Sequence, residues 1–178
     1  MSELPRLVSS ETVYRGRLFN VELDTIEMDH GVIAHRETIR HPGAVGMVPV
    51  RDDGRLLLVT QYRHATGRRL LEVPAGTLEP GEAPEAAVAR ELQEEVGMRP
   101  GVIERLGGIF VAPGYSTEFI HLFVCKELSE APLDGDEDED IEVEVYTIED
   151  ALAGIDSGKI VDAKSVVAIL RYARMLHR

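Results

Sequence analysis

Residues 76–98 read GTLEPGEAPEAAVARELQEEVGM, and the fold turns on how this stretch is read. Pro84 or Glu85 opens a helix, since proline suits the first helical turn. Gly97 closes it, because glycine takes the left-handed cap conformation at little cost. Val88, Leu92 and Val96 recur every four residues, with small alanines at 86, 87 and 89, so one side is expected to pack on a sheet. Glu91, Glu94 and Glu95 stand at i, i+3 and i+4 on one face, and Glu82 adds a fourth carboxylate just upstream. Like charges so spaced cost a helix roughly 0.2–0.5 kcal/mol per pair. Arg90 can pair with Glu94 at i+4, which relieves one charge but not three. Two readings compete: a solvated acidic face, or a hard-cation site in which carboxylate oxygens hold Mg²⁺ or Mn²⁺ and the divalent charge cancels the repulsion.

Outward from the helix, the chain reads as strands. "AVGMVPV" and "RLLLVTQYR" are core strands joined at Asp52-Asp53-Gly54, and "RRLLEVPAG" is another that ends at Pro74. Strands follow at "VIERLGGIFV", "EFIHLFVCKEL" and "IEVEVYTI". A short helix starts at Thr147, with Asp150 in capping-box spacing, and a last helix starts near Asp162 with a buried stripe of Val166, Ile169, Leu170 and Ala173. Residues 1–42 alternate apolar and polar in segments broken at Gly16 and at "DHG", as antiparallel hairpins do. Three short strands bury little alone, so this lead must pack on the rest or on a second subunit. "HPG" at 41–43 marks the boundary. The pattern is a mixed sheet flanked by a few helices, hence α/β or α+β.

With 178 residues and 44% hydrophobic composition, the chain can build a real core. Its net charge of −13 argues against a broad nucleic-acid or anionic-membrane surface. The excess is concentrated in two places. Residues 134–144, DGDEDEDIEVE, hold eight acids and no base, residues 76–98 hold six acids and one arginine, and the remainder is neutral. Most of the first of these is expected to be a solvated, mobile loop, because so many charges cannot all be buried. The single cysteine, Cys125, excludes an intramolecular disulfide and lies in an apolar run that suits an inert, buried thiol. The N-terminus lacks the pattern of a secretory signal and no run reaches membrane-span length, so a soluble, cytoplasmic protein is expected.

The stretch 76–98 matches G-x5-E-x7-R-E-U-x-E-E-x-G-U (U aliphatic) at every fixed position: Gly76, Glu82, Arg90, Glu91, Leu92, Glu94, Glu95, Gly97 and Met98. On these residues the chain resembles the Nudix hydrolases, which cleave nucleoside diphosphates linked to another moiety. The resemblance implies a Nudix α/β/α sandwich over residues 43–178, preceded by the small antiparallel sheet of residues 1–42. It implies Glu91 and Glu95 as principal metal ligands, with Glu94 and the main-chain carbonyl of Ala75 contributing, Mg²⁺ as the ion and Mn²⁺ as a substitute. Glu82 and Arg90 would orient the site, Arg90 by pairing with a carboxylate rather than by touching substrate.

Outside the box, Pro113 in "VAPGYSTE", fifteen residues past Met98, resembles a mark of the ADP-ribose pyrophosphatase branch, although an ordinary Pro-Gly turn explains the same residues. "HPGAVGMVPV", "LVTQYRHATGRRLLEVPAG" and the lead "YRGRLFNVELD" are similar to that branch as well. This implies hydrolysis of ADP-ribose to AMP and ribose 5-phosphate by a homodimer that exchanges its N-terminal sheets around the adenosine. Arg63 would contact the diphosphate or terminal ribose. Arg17 and Glu37 would lie on the adenosine side, and Glu118 is a weaker candidate. A glutamate of the acidic loop, Glu139 or else Glu137, would position or deprotonate the attacking water. GDP-mannose or another nucleoside diphosphate sugar is the alternative substrate. A non-catalytic ADP-ribose sensor fits less well, because the box glutamates are complete and nothing basic is appended. Cys125 sits wrongly for an isopentenyl-diphosphate isomerase, and no basic channel suits an RNA-end hydrolase.

Overall fold

The computed structural model describes residues 4–134 and 140–177. Their contacts cluster into two compact units, one of residues 1–43 with 110–119 and one of residues 44–109 with 120–178. Glu139 and Glu137 lie outside the described residues.

In the larger unit, β4 (Ala44–Pro49) is buried at every position. It runs parallel to β9 (Phe119–Glu130) and antiparallel to β7 (Ala75–Thr77), and β8 (Met98–Phe110) flanks β9. A strand with both faces covered must be apolar throughout, and strand parity then sorts its side chains. Val45 and Met47, with Phe123 and Cys125 of β9, pack on Ala87, Val88 and Leu92 of α1 (Pro84–Val96). Ala44 and Val48, with Ile120, Leu122 and Val124, pack on Ala151 of α2 (Ile148–Asp156) and on Ala168, Ile169 and Tyr172 of α3 (Ala163–Leu176). Helices therefore cover both faces of a mixed sheet, the α/β/α arrangement expected from the sequence. A second sheet is antiparallel throughout: β10 (Ile141–Tyr146), β5 (Leu56–Arg63) and β6 (Arg68–Glu72), in that order.

The caps fall where the sequence puts them. The Gly97 amide bonds back to Gln93 and Leu92 with φ 72°. The Thr147 hydroxyl accepts from the Asp150 amide at 3.0 Å, and the Asp162 carboxylate accepts from the Ser165 amide at 3.0 Å. The buried stripes differ from expectation by about one residue. On α1, Val96 is only half-buried and Glu95 takes the buried position. Seven residues at about 100° each bring Glu95 back to within about 20° of Val88, whereas Val96 lies about 80° away. On α3, Ser165, Ala168, Ile169, Tyr172 and Ala173 are buried, and Leu170 is 48% exposed. Here Ser165 is drawn inward because its hydroxyl accepts from the Val73 amide at 2.8 Å, which turns Leu170 out. Cys125 is buried, and burial pushes its thiol up to about 12.

The smaller unit is an antiparallel meander of β1 (Arg6–Arg15), β2 (Asn20–Glu27) and β3 (Ile33–Arg40). It also takes in residues 110–119, which the sequence reading assigned to the second domain. Ile39 donates to the Tyr115 carbonyl at 2.7 Å, the Thr117 amide donates to the Ile39 carbonyl at 2.9 Å, and the rings of Phe110 and Phe119 meet edge-on at 4.9 Å.

The rotated α3 stripe has a direct consequence for stability. Ile169→Ala should cost about 2–5 kcal/mol and Leu170→Ala less than about 0.5 kcal/mol, measured by urea unfolding. Equal losses would contradict this placement.

Candidate active site

The site grows from residues 72–76, where β6 passes through Val73 and Pro74 into β7. Val73 is tied to α3 through Ser165, and the Pro74 carbonyl accepts from the Met47 amide at 3.0 Å. Ala75 and Gly76 then pair with Gly46 and Val45 of β4. The Ala75 amide donates to Glu95 Oε2 at 3.0 Å, so this carboxylate, 8% exposed, is fixed beside the main chain of Ala75. The Glu91 carboxylate lies directly over the α-carbon of Gly76, in space that a Cβ would occupy. Glycine is needed at position 76 for this close approach, not for an unusual φ.

Arg90 gathers the remaining acids. Its Nε and Nη2 donate to the two oxygens of Glu82, each at 3.0 Å, and its Nη1 donates to Glu91 at 2.7 Å and to Glu94 at 3.0 Å. Nη2 also reaches the Thr77 carbonyl at 3.3 Å. Sequence spacing gave Arg90 one carboxylate, but the planar fork of a guanidinium serves three. The bidentate contact with Glu82 is the main cause that raises the Arg90 pKa above its ordinary value. In return, the Arg90 bonds hold the Glu82 carboxyl below the usual carboxylate range, helped by the Glu79 amide donating at 3.0 Å.

The donor set fits a hard divalent ion: carboxylate oxygens from Glu91, Glu94 and Glu95 with the Ala75 carbonyl nearby. Arg90 bonds to Glu82, Glu91 and Glu94, and Glu95 takes the Ala75 amide, so the box carries more carboxylates than Arg90 can neutralise. The Gly76 cradle holds one of those carboxylates against the backbone that carries the carbonyl. Among the described residues no three acidic, histidine or cysteine side chains converge on one point as in a closed site.

Arg63, at the end of β5, is committed to Glu72: Nε donates at 3.0 Å and Nη2 at 2.7 Å. Glu72 and its second cation, Lys164, were not singled out from sequence. A buried glutamate in "LLEVP" and a lysine at the start of a helix carry no periodic signal. The usable hint was the charge within the apolar run LLEVP. In the smaller unit, Arg17 lies exposed between β1 and β2, and Glu37 is exposed on β3 opposite Leu23. Pro113 sits in a tight turn closed by the Tyr115 amide to the Ala112 carbonyl at 3.1 Å, and Glu118 is half-buried.

The match to known proteins is broad. A family model described as NUDIX domain matches residues 40–166. An ADP-ribose pyrophosphatase of Bacillus subtilis (strain 168) is 36% identical over 166 residues, which cover 92% of this chain and 90% of that one. A GDP-mannose pyrophosphatase of Escherichia coli O1:K1 / APEC is 33% identical over 171 residues, covering 90% and 88%. A solved structure described as that of an ADP compounds hydrolase superposes with a TM-score of 0.88 at 28% identity, over 99% of this chain and 96% of that one.

The Gly76 cradle can be tested without turnover. Gly76→Ala drives a methyl group into the Glu91 carboxylate and should weaken Mn²⁺ binding by at least about tenfold, read by electron paramagnetic resonance titration. Unchanged Mn²⁺ affinity would exclude Glu91 as a ligand.

Proposed function

The chain belongs to the NUDIX family, and on that premise we propose that this pyrophosphohydrolase splits ADP-ribose into AMP and ribose 5-phosphate. The observation that carries the reading is a complete family box whose acids are gathered by Arg90 and Ala75, in a chain matched along nine-tenths of its length by an ADP-ribose pyrophosphatase.

Glu91, Glu95 and the Ala75 carbonyl would hold Mg²⁺, or Mn²⁺ in its place, with Glu94 contributing. A bound divalent ion neutralises the diphosphate and lowers the pKa of water. The other work falls to this chain's residues. Glu82 and Arg90 fix where the box carboxylates lie. Arg63 offers its guanidinium to the diphosphate or the terminal ribose. Glu139, with Glu137 as the runner-up, takes the proton from the attacking water, and the phosphate bond to the leaving AMP or ribose phosphate breaks.

The N-terminal sheet pairs with that of a second copy in a homodimer, placing Arg17 and Glu37 on the adenosine side, with Pro113 in the adjoining turn. Support comes from the apolar side chains this unit leaves exposed, among them Leu7, Val13, Leu23 and Ile33. The protein works in the cytoplasm, in keeping with the absence, among the described residues, of a helix long and apolar enough to cross a membrane. Hydrolysis of GDP-mannose is the second reading, favoured by the GDP-mannose pyrophosphatase among the relatives.

Two experiments decide these points. Turnover of ADP-ribose, GDP-mannose, ADP-glucose, NADH and diadenosine polyphosphates, with Mg²⁺ and with Mn²⁺, should place ADP-ribose among the two best substrates. A lower rank sinks the substrate assignment and leaves the family intact. Glu95→Gln and Glu139→Gln should each lose about a hundredfold or more in kcat with unchanged thermal unfolding. Normal turnover in Glu139→Gln moves the base elsewhere.

A further inference from the structure

Behind Arg63 lies a polar cluster that the chemistry above does not use. Glu72 is 1% exposed, and its carboxylate accepts from Arg63 on one side and from Lys164 Nζ, at 2.5 Å, on the other. Lys164, 7% exposed in the first turn of α3, also donates to Asp162 Oδ2 at 2.9 Å. Burial pushes the Asp162 carboxyl up, but Lys164 and Ser165 outweigh it and hold the group below its ordinary value. Two carboxylates and two cations thus balance. Such a cluster persists only when every member is paired.

The cluster governs where Arg63 points. The strand register sets Glu72 opposite Val59, on the same face of the sheet as Gln61 and Arg63. The Arg63 side chain is 39% exposed, and it spends Nε and Nη2 on Glu72. Nη1 makes no hydrogen bond among the described residues. Without Lys164, Glu72 and Asp162 would both draw on Arg63, whose guanidinium already feels their charge and that of Glu95. The arginine would then turn inward.

We propose that Lys164 is a positioning residue: by sharing Glu72 and neutralising Asp162, it holds the Arg63 guanidinium outward for the substrate's diphosphate or terminal ribose. This rests on the reading of Arg63 given above. Lys164 touches no substrate and acts only through Glu72.

A double-mutant cycle on the full chain tests it, using the best substrate of the panel. Arg63→Ala and Lys164→Met should each lower kcat/KM by about tenfold or more, with the same split between KM and kcat. The double variant should be no worse than Arg63→Ala alone, and Mn²⁺ affinity should be unchanged in Lys164→Met. Thermal unfolding checks that each variant is folded. Glu72→Gln, which keeps the side-chain shape, carries the same cycle if Lys164→Met does not fold. Losses that multiply, or a different KM-against-kcat split, overturn the positioning role while leaving Arg63 as a substrate contact. Arg63→Ala without effect removes that contact, and this inference with it.

Discussion

One guanidinium makes the acidic helix possible. Three of the four box glutamates bond to Arg90, and the fourth bonds to the Ala75 amide. An isolated helix with this face would be weakened by its own charge. Here the arginine lies 25% exposed amid carboxylates that are more buried or equally so, and each of its bonds is charge-assisted. The compensation is incomplete, and that matters. Balancing the acids fully with arginines would leave a stable helix with no attraction for a cation. One arginine orders three of the carboxylates without matching their number.

Parity arguments made much of this legible in the sequence. The alternation in β4 and β9 separates two cores, and residues such as Val45 and Val48 go to opposite faces as strand geometry requires. The helix ends at Gly97, Thr147 and Asp162 were legible because a cap uses local chemistry. Failures came where a polar contact competed with the apolar period. Leu170 was expected inside, but Ser165 won its place through a hydrogen bond to Val73, ninety-two residues earlier in the chain. No window of local sequence contains both partners. The same distance separates Lys164 from Glu72, so the second buried cluster was invisible for the same reason. Arg90's three partners were half legible: Glu94 follows from i+4 spacing, but Glu82 depends on how the loop before the helix returns.

Part of the second acidic segment is likewise ordered by partners far away. Its last residues form β10, the strand expected at IEVEVYTI. Arg69 pairs with Asp140 and Glu142, and Thr60 donates to Glu144 at 2.6 Å. The acids from 140 onward are therefore held to β5 and β6. Among the described residues, the box acids are held by Arg90 and the Ala75 amide, and the acids from 140 onward by Arg69, Thr60 and Tyr146.

Both helical layers converge on residues 72–76. From the α3 side, Lys164 holds the Glu72 side chain and Ser165 holds the Val73 amide. From the α1 side, Glu95 holds the Ala75 amide and Glu91 covers Gly76. β4 fixes the Pro74 carbonyl between them. Every residue of the segment is thus tied by a group from α3, α1 or β4, so its backbone cannot shift without breaking contacts on both faces of the sheet. Positioning within a fraction of an ångström is what a reacting group requires, and it comes from packed, hydrogen-bonded supports rather than from the group itself. The burial of Glu72 and Glu95, costly for stability alone, follows from that requirement. A carboxylate with apolar neighbours and fixed partners holds its place better than one in water.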